Sequence, residues 1–117
     1  MDDQKIKILT AKIHNLRFWV SECDSEVLKS MFQSYLEKVG FVILNFSDHH
    51  FPVQGYTAFW LLGESHLAIH TFPDKGWSYI ELSSCNQTKS EKFRNLVIES
   101  RLQVNWNSDG IEICVPK

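Results

Sequence analysis

Gly63-Glu64-Ser65-His66-Leu67-Ala68-Ile69-His70-Thr71-Phe72-Pro73-Asp74-Lys75-Gly76-Trp77 is the stretch from which the rest of this chain can be read. Ser65 to Thr71 has the β-branched and apolar content of a strand, and so does Trp77 to Ser83. Between them, Pro73 to Gly76 carries turn residues and predicts a four-residue hairpin loop. Phe72 then pairs with Trp77, which sets Ser65 opposite Ser84 and Glu64 opposite Cys85. A slip of one residue would turn every side chain to the other face, so the register decides what meets what. In this register a thiol lies beside the peptide bond joining Glu64 to Ser65.

Working outward, further strands are expected at Ile6 to Ile13, Leu16 to Val20, Phe41 to Phe46, Tyr56 to Leu62, Leu102 to Trp106 and Ile111 to Val115. The first two read as one strand or two. Two segments have helical spacing instead. Val27, Leu28, Met31, Phe32, Tyr35, Leu36 and Val39 form one apolar stripe between an N-cap at Asp24 and a stop at Gly40. A second helix is expected to start near Thr88, where Thr88-Lys89-Ser90-Glu91 has capping-box form, with Phe93, Leu96 and Val97 inward. Strands before, between and after two helices predict an α+β two-layer sandwich, an antiparallel sheet with both helices on one face.

A length of 117 residues fits a single domain over 1–117, with 44% hydrophobic and 22% charged residues as in globular chains. The net charge of −2, without a basic cluster, argues against a nucleic-acid partner. No apolar run reaches the ~18 residues of a membrane span, and the N-terminus has no signal-peptide core. Three cysteines, Cys23, Cys85 and Cys114, point to free thiols and a cytoplasmic setting. Cys23 and Cys114 read as structural. His66 and His70 share a strand face and His49-His50 read as an exposed loop pair, but no short zinc spacing appears, so no metal is expected.

The residues around Ser65 have the chemistry for self-cleavage. A serine hydroxyl can attack the preceding carbonyl, shift the acyl group to oxygen, and eliminate across its own Cα–Cβ bond. Hydrolysis then leaves a pyruvoyl group at the new N-terminus. The steps need a base and oxyanion donors, and His66 and His70 are the candidate bases. In a regular strand His70, five residues on, faces away from Ser65, so acting there requires a bend or bulge.

The run ESHLAIHTFP resembles the ESHxxIHTWPE motif of the small prokaryotic S-adenosylmethionine decarboxylase proenzymes. The Ser65 to Cys85 spacing is similar too, as are Glu22-Cys23-Asp24-Ser25-Glu26-Val27-Leu28 and Phe51-Pro52-Val53-Gln54-Gly55. The likeness runs from about Glu22 to Cys85. It implies cleavage between Glu64 and Ser65 into a 1–64 β chain and a 65–117 α chain, with Ser65 converted to pyruvoyl. It implies that His70 assists processing, supported by Thr57, and that Cys85 protonates the substrate α-carbon. The pyruvoyl ketone would hold the substrate amine as a Schiff base. Phe51 and Phe72 would sandwich adenine, Asp74 would meet the ribose, and the substrate would be S-adenosylmethionine, decarboxylated for spermidine synthesis. A homodimer of processed protomers with interfacial active sites is also implied.

The chain departs from the family at Thr57 (serine), Ala58 (glycine), Asp74 (glutamate) and Glu81-Leu82-Ser83-Ser84-Cys85, and His14-Asn15-Leu16 replaces a Gly-Arg-His-like segment. Two alternatives stand beside this one. The same chemistry on a basic amino acid would dispense with the aromatic pair. An uncleaved relative that binds a nucleoside or a partner protein would stay full length.

Overall fold

The computed structural model describes residues 11–106. Its elements run β1 (His14–Val20), α1 (Ser25–Lys38), β2 (Ile43–His50), β3 (Tyr56–Leu62), β4 (Ser65–Phe72), β5 (Trp77–Ser84), α2 (Gln87–Glu99) and β6 (Val104–Asn105). The strands form one antiparallel sheet in the order β2-β3-β4-β5-β1-β6. Burial alternates strictly along β3, β4 and β5, as expected where one sheet face is covered and the other open. The helices cover the face made by Phe18, Val20, Ala58, Trp60, Leu67, Ile69, Ile80 and Leu82. The result is the α+β sandwich that the pattern predicts.

Each helix is fixed at its start by a side chain. Asp24 accepts hydrogen bonds from the backbone N–H of Glu26 (2.9 Å) and Val27 (3.1 Å). At the other end, Gly40 at φ +91° lets Gly40 N–H reach Glu37 O and Phe41 N–H reach Leu36 O, a Schellman closure. Leu28, Phe32 and Leu36 are the fully buried ridge of α1, while Val27 is 40% exposed and sits at the edge of the stripe. Phe32 packs against Phe18 of the sheet and Phe93 of α2, so one ring joins both layers.

Four expectations need correction. Helix α2 starts near Thr88 as expected, at Gln87, but its cap is Asn86 and not Thr88: the Asn86 side chain accepts from Lys89 N–H at 3.0 Å. Ser84 Oγ accepts from Asn86 N–H, and Ser90 Oγ donates back to Asn86 O, so Asn86 is held from both sides before Thr88 is reached. Strand β2 begins later than Phe41 and runs through His49 and His50, because both pair with β3 (His49 with Thr57, His50 with Tyr56). The strand expected over Leu102 to Trp106 is trimmed to Val104–Asn105, the two residues that pair with β1. Ile13 precedes β1 and is 60% exposed, so the strand starts at His14. Most of the Ile6 to Ile13 expectation, all of Ile111 to Val115, and Cys114 lie outside the described residues.

Candidate functional site

The predicted hairpin register is the observed one. Phe72 pairs with Trp77 and Ser65 with Ser84, and the Pro73–Gly76 turn is closed by Gly76 N–H to Phe72 O at 3.0 Å. On the other side of β4, Leu62 pairs with Ser65, which leaves Gly63 and Glu64 as a two-residue turn. The peptide between Glu64 and Ser65 therefore sits where a tight turn enters a central strand. Glu64 has φ +59°, the one non-glycine residue with positive φ among those described. The Cys85 thiol lies 3.9 Å from the Glu64 carbonyl oxygen and 3.7 Å from the Glu64 carboxylate. Ser65 is 8% exposed on the helix-covered face beside the buried Ser84.

His70 stands elsewhere. Strand β4 pairs without interruption on both sides from Ser65 to His70, so the bend that would aim His70 at Ser65 is absent. Five residues at ~3.3 Å each place the two about 16 Å apart, on opposite faces. His70 instead meets Thr57 on the neighbouring strand, Thr57 Oγ1 to His70 Nδ1 at 3.2 Å. His49, Thr57, His70, Tyr79 and Trp19 are successive cross-strand partners on the open face, one row across five strands. Burial, helped by the neighbouring Glu81, pushes the Tyr79 hydroxyl above its ordinary titration range.

Two aromatic groups flank this row. Phe72 packs on Trp19 (5.7 Å), which also packs on Tyr79 (5.1 Å). Phe51 lies at the β2–β3 turn, edge-on to the His49 ring at 4.8 Å, and its N–H reaches Gly55 O. A Cβ on Gly55 would stand 3.5 Å from the Phe51 ring, and φ there is +110°, so glycine suits that turn. The rings of Phe51 and Phe72 are 49% and 38% exposed and make separate contacts rather than facing each other. Asp74 is exposed in the hairpin loop next to Phe72. Among the described residues no three His, Cys, Asp or Glu side chains gather as a metal site. No helix among them is long and apolar enough to cross a membrane.

Sequence reasoning paired Cys85 with Glu64 and named Thr57 and His70, but it missed that the last two touch. It missed Tyr79 and Trp19 altogether. The signal for Tyr79 was available, since the hairpin register that sets Ser65 against Ser84 also sets His70 against Tyr79.

Fold and site together define an α+β sandwich protein with a serine and thiol at one end of its central hairpin and a hydroxyl–imidazole pair toward the other. The family model described as S-adenosylmethionine decarboxylase matches residues 21–106, and the chain belongs to that family. A relative named S-adenosylmethionine decarboxylase proenzyme from Prochlorococcus marinus (strain MIT 9211) is 34% identical over 77 residues, 65% of this chain and 63% of the relative. A proenzyme of the same name from Brevibacillus brevis is 37% identical over 65 residues, 56% of this chain and 49% of its own length. This chain thus spans less than two thirds of these curated relatives. The crystal structure of the adenosylmethionine decarboxylase from Aquifex aeolicus has the same fold. Its TM-score is 0.65 at 16% identity, covering 93% of this chain and 99% of that one.

Proposed function

We propose that this chain is a self-cleaving proenzyme that becomes a pyruvoyl-dependent S-adenosylmethionine decarboxylase, acting as a homodimer. The observation that carries the proposal is the Cys85 thiol against the Glu64–Ser65 peptide, at a strained turn, in a chain of this family. The relatives' name, proenzyme, agrees with cleavage.

In the processing step Ser65 Oγ bonds to the Glu64 carbonyl carbon as the C–N bond breaks, and the hydroxyl proton passes to the freed nitrogen. Elimination releases the Glu64 carboxylate and leaves an unsaturated residue at position 65. Tautomerisation and hydrolysis, with loss of ammonia, complete a pyruvoyl group. Ser65 fits that fate because its peptide bond lies at the strand entrance beside a thiol rather than inside the ladder. When present, the pyruvoyl group supplies a carbonyl that takes up electrons as CO2 leaves the substrate. Cys85 donates the proton that replaces CO2. Thr57 holds His70 through Nδ1, which leaves Nε2 to move protons. Phe51 and Phe72 offer aromatic faces to adenine and to the sulfonium cation, and Asp74 meets the ribose hydroxyls.

The distance between the two half-sites supports the dimer. About 16 Å of straight strand separates Ser65 from His70 in one copy, and a second copy that brings its His70 to the first copy's Glu64–Ser65 peptide would join the two half-sites. The open sheet face carries His70, and through it a second copy would reach the Gly63–Glu64 turn beside Cys85, where the peptide joined to Ser65 lies. It exposes Phe59 (39%) and Leu61 (44%) side by side on β3 and Phe72 (38%) at the far end of β4, apolar groups available to a partner surface. Free thiols at Cys23 and Cys85 suit a reducing compartment, which supports the cytoplasm as the setting.

Intact mass under denaturing conditions tests the cleavage: two pieces, residues 1–64 and 65–117, the second with a blocked N-terminus. A single full-length mass after long incubation overturns the enzyme reading and favours the uncleaved binding protein. If S-adenosylmethionine is inert on cleaved protein while arginine or ornithine loses CO2, the basic amino-acid alternative holds instead.

A further inference from the structure

The conformation of Glu64 sets it apart from the rest of the backbone. L-residues with a side chain avoid positive φ because Cβ crowds the neighbouring carbonyl. Every other positive φ among the described residues belongs to a glycine: Gly40, Gly55 and Gly76. The turn between β3 and β4 contains a glycine as well, yet Gly63 does not take the left-handed position, and Glu64 does. Space is not the reason, since a Cβ on Gly63 would meet nothing within 4 Å.

Three restraints hold Glu64 there. The ladder places Ser65 opposite Leu62 on one side and Ser84 on the other, so the residue after Glu64 cannot shift. Gly63 N–H is bonded to Val42 O at 3.1 Å, which anchors the residue before it. Cys85 contacts both the carbonyl and the carboxylate of Glu64.

We infer that Glu64 is a positioning residue whose left-handed backbone stores strain at the bond to be cut, and that release of this strain speeds self-cleavage. The inference rests on the self-processing reading above. When the Glu64 C–N bond breaks and the acyl group moves to Ser65 Oγ, Glu64 is joined to Ser65 through Oγ and Cβ instead of through the backbone nitrogen held in the ladder, and this longer link lets its φ relax. The strain therefore raises the uncleaved peptide in energy more than the transition state.

Glu64→Gly removes the crowding, Glu64→Ala keeps it without the carboxylate, and Glu64→Asn lies between, since asparagine tolerates this region. Cleavage is followed by mass against time. Glu64→Gly should cleave about tenfold more slowly than Glu64→Ala, the factor expected when one left-handed penalty is lost from the ground state, with Glu64→Asn intermediate. In the uncleavable Ser65→Ala background the order inverts: Glu64→Gly melts several degrees above Glu64→Ala. That second readout separates strain from flexibility, because a merely looser turn would slow cleavage without raising the melting point. Equal cleavage rates for glycine and alanine, or no gain in melting temperature, overturn this inference alone. No cleavage in any variant, the natural sequence included, overturns the self-processing reading and the inference with it.

Discussion

Thr57 is a threonine where the resembling family has serine, and its hydroxyl meets His70 Nδ1 at 3.2 Å. Thr57→Val keeps the shape and removes the partner. It should slow cleavage by about two orders of magnitude, the lower end of what a positioned acid–base group contributes, while Thr57→Ser retains the natural rate. Tyr56 is buried, donates to Asp48 Oδ2 at 2.7 Å, and its hydroxyl is pushed upward first by burial and then by Asp48. A tyrosine whose folded pKa is raised contributes stability that is complete below its ordinary value of about 10 and is lost as pH rises beyond it. Melting temperature should therefore fall above pH ~10, and the fall should be shallower in Tyr56→Phe. An unchanged slope would show that other groups carry it. At this scale the sequence was partly legible. The Glu64–Cys85 meeting is readable, because a hairpin register is simple addition once the turn is recognised. The Thr57–His70 contact is not, because it joins strands whose connecting turn holds an unusual φ at Glu64.

Among the elements, the start of α2 matters most for the site, since its cap follows directly on Cys85. Asn86→Ala should cost about 1 kcal/mol and lower the melting temperature by roughly 4 °C, whereas Thr88→Ala should be near neutral. Circular dichroism melts of both variants separate the two caps. The Thr88-Lys89-Ser90-Glu91 pattern misleads because a local match says nothing about competing partners. Here Ser84, at the end of β5, reaches Asn86 N–H first. Strand β2 is misjudged for a related reason. His49 and His50 have no strand signal of their own, and they extend because β3 offers pairing partners.

For the molecule as a whole, the test is whether two copies share a site. Ser65→Ala and His70→Ala should each fail to cleave alone. Co-expressed, about a quarter of all sites become complete, since half of randomly formed dimers are mixed and each has one intact combination. Mass spectrometry should then show cleavage of the His70→Ala chain only. Failure of any cleavage in the mixture would mean that His70 serves its own copy. Phe59→Arg, placed on the open face and outside the core, should yield folded monomers by sedimentation and abolish cleavage with them.

Composition and periodicity by themselves determined the α+β sandwich, the hairpin register, the Asp24 and Gly40 limits of α1, and the motif that carries the family likeness. These are local properties, set by turn chemistry and by the two spacings at which side chains repeat. Tertiary structure alone decided the Asn86 cap, the length of β2, the union of Thr57 with His70, and the absence of any bend that would turn His70 toward Ser65. Each depends on which distant backbone groups compete for the same hydrogen bond or lie across the sheet. A strand's own sequence records which residues share a face, and only the assembled sheet sets what those residues meet.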